Sequence, residues 1–128
     1  MGGALFLLES WGYTMSYTVD DTTITMTRGD TVRISLTIDT DEGEYLPVEG
    51  DAVRFAAKKT YDDPEPLIHK VIPNDSLIIE FNPEDTKPLE FGTYVYDVEL
   101  TYANGDVATI IPREPTEKAK LIITGEVE

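Results

Sequence analysis

Strict alternation of apolar and polar positions is the dominant pattern of this chain. Between Thr93 and Tyr102, Tyr94, Tyr96, Val98, Leu100 and Tyr102 share one parity, and Thr93, Val95, Asp97, Glu99 and Thr101 the other. Side chains of a strand alternate with a period of two, so the pattern predicts a half-buried strand with an aromatic inner face. Asn104-Gly105 follows it, a dipeptide suited to a tight hairpin turn with two positive-φ residues.

The same period recurs along the rest of the chain. Thr23–Thr27 alternates, and Arg28-Gly29-Asp30 interrupts it, with the glycine marking a bend or bulge. Thr31–Ile38 resumes with Val32, Ile34, Leu36 and Ile38 on one face. Ala52–Lys59 puts Val53, Phe55 and Ala57 inward; Ser76–Asn82 does the same with Leu77, Ile79 and Phe81. Leu67–Ile72 reads as a strand whose inner face the pattern leaves open. Asp106–Ile111 and Lys118–Thr124 complete the set, separated by Pro112-Arg-Glu-Pro115. Tyr61–Pro66 is a loop, because its two prolines cannot donate to a ladder. Pro83–Lys87 fits one helical turn, with Asn82 as N-cap, Pro83 in the first position and acids at the positive end.

Turn signals every 8–12 residues predict an all-β antiparallel sandwich of seven to eight strands. Gly92-x-Tyr94-x-Tyr96 stands where immunoglobulin-like domains carry a tyrosine corner. In an antibody-type domain the position two after the corner tyrosine is cysteine; here it is Tyr96. The expected fold is therefore an immunoglobulin-like β-sandwich without disulfide, its core sealed by Tyr94, Tyr96, Phe55, Phe81 and aliphatic residues.

Composition narrows the function. The 128 residues suffice for one core. There is no cysteine, which excludes disulfides, thiolate metal sites and cysteine nucleophiles. Twenty-five acidic residues against ten basic ones give a formal net charge of −15. That field repels phosphate backbones and anionic membrane surfaces, so neither nucleic-acid binding nor membrane insertion is expected.

Ala4-Leu-Phe-Leu-Leu8 is an apolar run too short to span a membrane, and it lacks the basic flank of a secretory signal. Residues 1–22 read as an N-terminal arm that docks on a neighbouring subunit, or as an over-extended leader ahead of a start at Met15; the second reading is preferred. Residues 23–128 form the single sandwich domain.

Candidate chemistry is sparse. His69 is the only histidine, so no multi-histidine metal site exists, and any Ser-His-Asp triad would have to use it. Its simpler role is a surface histidine. Asp39-Thr-Asp-Glu-Gly-Glu44 has the first spacing of an EF-hand, but its glycine is one position early and Gly50 stands where the closing glutamate belongs. It reads as an acidic hairpin turn. Asp62, Asp63 and Glu65 lie together in a proline loop rather than across a cleft. Arg28-Gly-Asp30 is the integrin tripeptide, and its place between two threonine-rich runs favours a structural bend. No catalytic, cofactor-binding or metal-ligating residue is assigned, no cofactor is expected, and the chain is not expected to be an enzyme.

Four strings, in order, carry a resemblance: Thr23-Ile-Thr-Met-Thr-Arg-Gly-Asp-Thr-Val-Arg-Ile-Ser-Leu-Thr37, Gly50-Asp-Ala-Val-Arg-Phe-Ala-Ala-Lys-Lys59, Ile78-Ile-Glu-Phe-Asn-Pro-Glu-Asp-Thr86 and Gly92-Thr-Tyr-Val-Tyr-Asp-Val-Glu-Leu100. Together they resemble the N-terminal immunoglobulin-like domain of phage baseplate upper proteins and related phage and prophage tail-associated domains, over roughly Thr23 to Val127. Members usually continue into a long fibre or receptor-binding region, whereas this sequence stops at Glu128. The resemblance implies a non-enzymatic virion structural or assembly module. Its partners would be other tail or baseplate proteins, or further copies of itself as a homo-oligomer. Its location would be the virion, or the host cytoplasm before assembly. The alternative is a small ligand-binding or adhesin-like sandwich of the carbohydrate-binding type, for which Tyr17, Tyr45 and Tyr61 are the exposed aromatic candidates.

Overall fold

The computed structural model describes the backbone of residues 5–10 and the whole of residues 17–114 and 116–125. Expectations that concern Ala4, Met15, Pro115 and Val127 lie outside the described residues. Eleven strand segments and one helical turn follow in chain order: β1 (Leu5–Ser10), β2 (Tyr17–Asp20), β3 (Thr23–Thr27), β4 (Val32–Thr40), β5 (Gly43–Glu44), β6 (Ala52–Lys58), β7 (Ile68–Ile72), β8 (Ile78–Phe81), α1 (Pro83–Thr86), β9 (Gly92–Thr101), β10 (Val107–Ile111) and β11 (Ala119–Thr124).

The smaller sheet is centred on β4, with β1 along one edge and β5 and β8 along the other. The larger sheet has the order β2-β3-β11-β9-β6-β7, with β10 continuing the β11 side of β9. All pairings are antiparallel except β3 with β11, which is parallel. β4 and β8 thus fall in one sheet and β6, β9 and β11 in the other, the division of an immunoglobulin-like sandwich.

Alternation built the core as expected. Phe55, Tyr94, Tyr96, Val98 and Leu100 of the larger sheet are buried, together with Ile34, Leu36, Ile38, Ile79 and Phe81 from the opposite sheet. Phe55 stacks on Tyr96 at 5.0 Å between centroids, and Phe81 meets Phe55 edge-on at 5.2 Å. These three rings occupy the region that a disulfide would bridge. The Tyr94 hydroxyl donates to the Glu90 carbonyl at 2.7 Å, which makes it a tyrosine corner. The Tyr96 hydroxyl donates to the Thr22 carbonyl at 2.5 Å, and burial pushes its pKa up.

Several details differ from the sequence reading. The boundary at residue 22 falls inside the sheets, because β2 pairs with β3 and β1 pairs with β4 from Leu5 opposite Asp39 to Ser10 opposite Ile34. Tyr17, expected on the surface, is 6% exposed, and its hydroxyl donates to the Arg33 carbonyl at 2.8 Å. These two strands, with the two-residue β5, raise the strand number above seven or eight. Asn104 does not take a positive φ; among non-glycine described residues only Asp21 and Leu77 do. The hairpin instead closes with Gly105 N–H on the Tyr102 carbonyl at 2.8 Å and Tyr102 N–H on the Asp106 carbonyl at 2.7 Å. This three-residue loop needs the left-handed conformation only at Gly105, φ +97°. Tyr102 is half-buried at the sheet end, edge-on to Tyr45. β7 turns Ile68 and Ile72 inward, which settles the face that sequence left open.

Candidate functional site

Each candidate residue has a structural place. His69 is exposed on β7, at a groove of about 310 Å³ over the outer face of the larger sheet. Arg54, Lys58, Tyr61, Pro66 and Asp97 line the same groove, and its lining holds no serine or threonine. Arg54 is spent within it, bridging Asp97 at 3.1 Å and Glu99 at 3.0 Å. The arrangement does not form a nucleophile–base pair.

The acidic turns are hairpin and loop chemistry. Asp39 lies opposite Glu44 in the β4–β5 register, and the Thr40 hydroxyl donates to the Gly43 carbonyl at 2.8 Å. Asp63 accepts the Thr60 backbone N–H at 3.1 Å and the Thr60 hydroxyl at 3.3 Å, which closes the turn after β6. Asp62 and Glu65 are exposed. Among the described residues no three His, Asp or Glu side chains converge in a way that holds a metal ion.

The Arg28-Gly-Asp30 segment is part of a clasp beneath the sandwich. Gly29 bends at φ +86°, and a Cβ there would lie 2.8 Å from Lys87 Cε. Its N–H donates to the Thr86 hydroxyl at 2.7 Å, and Thr86 is fully buried in α1. Arg28 donates to the Leu89 carbonyl at 3.1 Å and lays its guanidinium over the Phe91 ring at 4.3 Å. An arginine held in this way does not project as an adhesion loop requires. The N-terminal end of α1 is closed by the Asp85 carboxylate, which accepts the Asn82 N–H at 2.7 Å and pairs with Lys70 of β7 at 2.6 Å.

Asp51 is the polar centre of the opposite end, and the sequence reading missed it. It is 8% exposed. Oδ2 accepts the Tyr45 hydroxyl at 2.5 Å and the Val48 N–H at 3.0 Å, while Oδ1 accepts the Ala103 N–H at 2.8 Å. The Tyr45 hydroxyl and these N–H groups hold its carboxyl below the usual range, and the same bond lifts Tyr45 to about 12. Asn74 adds bonds from its side-chain amide to the Val48 and Asp51 carbonyls, at 3.3 and 2.9 Å. One carboxylate therefore ties the segment after β5 to the β9–β10 hairpin. The available signal was an acid placed directly before an alternating strand, next to Gly50.

Of the three tyrosines expected as an exposed platform, only Tyr61 is one, at 46% exposure. Tyr17 is buried, and Tyr45 packs against Tyr102 with rings 73° apart. Other exposed large apolar residues are Leu46, Val48, Leu67, Val71, Phe91 and Val107. Among the described residues no helix is long and apolar enough to cross a membrane. No protein-family model matches the chain, and no curated protein matches it.

Proposed function

We propose that this chain is a non-enzymatic assembly module of a phage or prophage tail, docking by its surface onto baseplate or tail-fibre proteins. The observation that carries the reading is the clasp. Two of the strings that resemble the tail-associated domains, widely separated in sequence, are joined by the Gly29–Thr86 bond. Arg28 extends the same contact to Leu89 and Phe91, next to the Gly92–Leu100 string. Their order along the chain is then the signature of one packed unit, which favours relationship over unrelated strand grammar. The polar groups of the site are also spent on internal contacts: Asp51 holds loops, and Arg54 of β6 pairs with Asp97 and Glu99 of β9. A carbohydrate-binding sandwich is less favoured, because Tyr17, Tyr45 and Tyr61 do not form a shared stacking surface.

The experiment is to induce particles from a host carrying the gene, purify them, and quantify this chain by mass spectrometry beside the tail proteins. Enrichment with tails at a fixed stoichiometry is expected. Recovery only in the cell fraction, with intact tails lacking the chain, overturns the reading.

A further inference from the structure

Among the described residues, no strand pairs with the outer edge of the smaller sheet at β8, although β7 runs near it. β8 pairs with β4 alone, from Ile78 opposite Ser35 to Phe81 opposite Val32. Leu36 N–H donates to the Leu77 carbonyl at 2.8 Å in the same register. In an antiparallel ladder hydrogen-bonded and non-bonded pairs alternate. Residues 77, 79 and 81 therefore bond β4, and the N–H and C=O groups of Ile78 and Glu80 face away from it. Ile78 N–H turns back towards the Ser76 hydroxyl at 3.4 Å. That leaves the Ile78 carbonyl and both backbone groups of Glu80 directed outward.

Beside this edge runs a groove of about 440 Å³, lined by Lys70, Val71 and Pro73 on one side and Ile78, Glu80 and Asn82 on the other. Val71 is 73% exposed, the highest value among the exposed large apolar residues. Natural edges are blunted by proline, bulges or charged side chains. No proline interrupts Ile78–Phe81, and the Glu80 carboxylate is paired with Arg33 at 2.6 Å.

We propose that this edge accepts an extended segment of another protein, which adds a strand to β8. This deepens the docking reading above and rests on it. A free strand edge offers alternating donors and acceptors at a strand's spacing, so an extended backbone is the chemistry that recognises it. Val71 and Ile78 call for apolar residues in that segment. The formal charge of −15 opposes a second copy and favours Lys or Arg at the alternate positions.

The test uses the full chain and a hexapeptide probe, Lys-Val-Thr-Val-Lys-Val, capped at both ends. Saturating peptide should slow exchange of the Glu80 amide by about tenfold, the scale of one gained hydrogen bond. Glu80→Pro removes the outward N–H without touching the β4 ladder and should weaken binding by about tenfold. Glu80→Gln keeps the N–H and should retain binding. The same peptide N-methylated at alternate residues keeps its charge and should not bind in strand fashion. Should Glu80→Pro fail to fold, the methylated peptide decides. Unchanged exchange at Glu80, or equal binding of both peptides, overturns the proposal and leaves an electrostatic surface contact only. Because this readout concerns Glu80, its failure removes the edge site and leaves the particle measurement to judge the docking reading.

Discussion

The backbone N–H of Gly29 donates to the buried hydroxyl of Thr86 at 2.7 Å, across 57 positions of chain. The bond fastens the bend between β3 and β4 to the single helical turn between β8 and β9. It joins two strings whose only visible link in the sequence is their order.

Removing the acceptor should therefore be costly. Thr86→Val keeps the shape and leaves the Gly29 N–H without its partner, at a cost of about 1–3 kcal/mol. Thr86→Ser retains the hydroxyl and should lose less. Urea unfolding of the two variants checks this; equal stabilities would show that the hydroxyl contributes nothing.

The tyrosine corner separates into ring and hydroxyl. Tyr94 is 3% exposed, so Tyr94→Ala should cost about 3–5 kcal/mol, the range for deleting a buried aromatic. Tyr94→Phe removes only the bond to Glu90 and should cost about 1 kcal/mol. A loss below about 1 kcal/mol in the alanine variant would contradict the burial.

Asp51 links stability to acid. Its carboxyl titrates below the unfolded value of 3.8, with the Tyr45 hydroxyl as the largest cause. The contribution is therefore complete above the unfolded value and lost as pH falls through the lower folded one. Asp51→Ala should cost about 1–3 kcal/mol at neutral pH, since the Val48 and Ala103 N–H groups lose their acceptor. The difference from the parent should shrink in this acid window. A difference that stays constant as pH falls below the unfolded value would mean that the carboxylate charge is not what matters.

A chain beginning at Met15 retains β2 but lacks β1. The β4 edge that β1 covers, from Ile34 to Asp39, would then be open. Uncovered edges pair with other chains. The shortened chain is expected to fold and to associate more than the full chain, as read by light scattering. Equal monomer content in both would show that β1 does not shield that edge.

The alternating period by itself determined the sandwich, the parity of β4, β6, β8 and β9, and the aromatic core around Phe55 and Tyr96. It could do so because a buried face imposes a period of two on each strand independently of its partners. Gly92-x-Tyr94 was equally legible, since a tyrosine corner closes on a carbonyl only four residues away. The helical turn was readable too, because Asn82, Pro83 and Asp85 act within one another's reach. Partnerships between distant segments were decided by the tertiary structure alone. Thr86 reads as an ordinary turn residue until Gly29 arrives above it, and Asp51 as one more surface acid until Tyr45 and Ala103 surround it. Tyr17 and β1 were placed outside the fold for the same reason: their partners, Arg33 and β4, lie further along the chain and leave no local mark. The outward groups of Glu80 follow from the register of β8 on β4, a choice between two parities that only the assembled sheet makes.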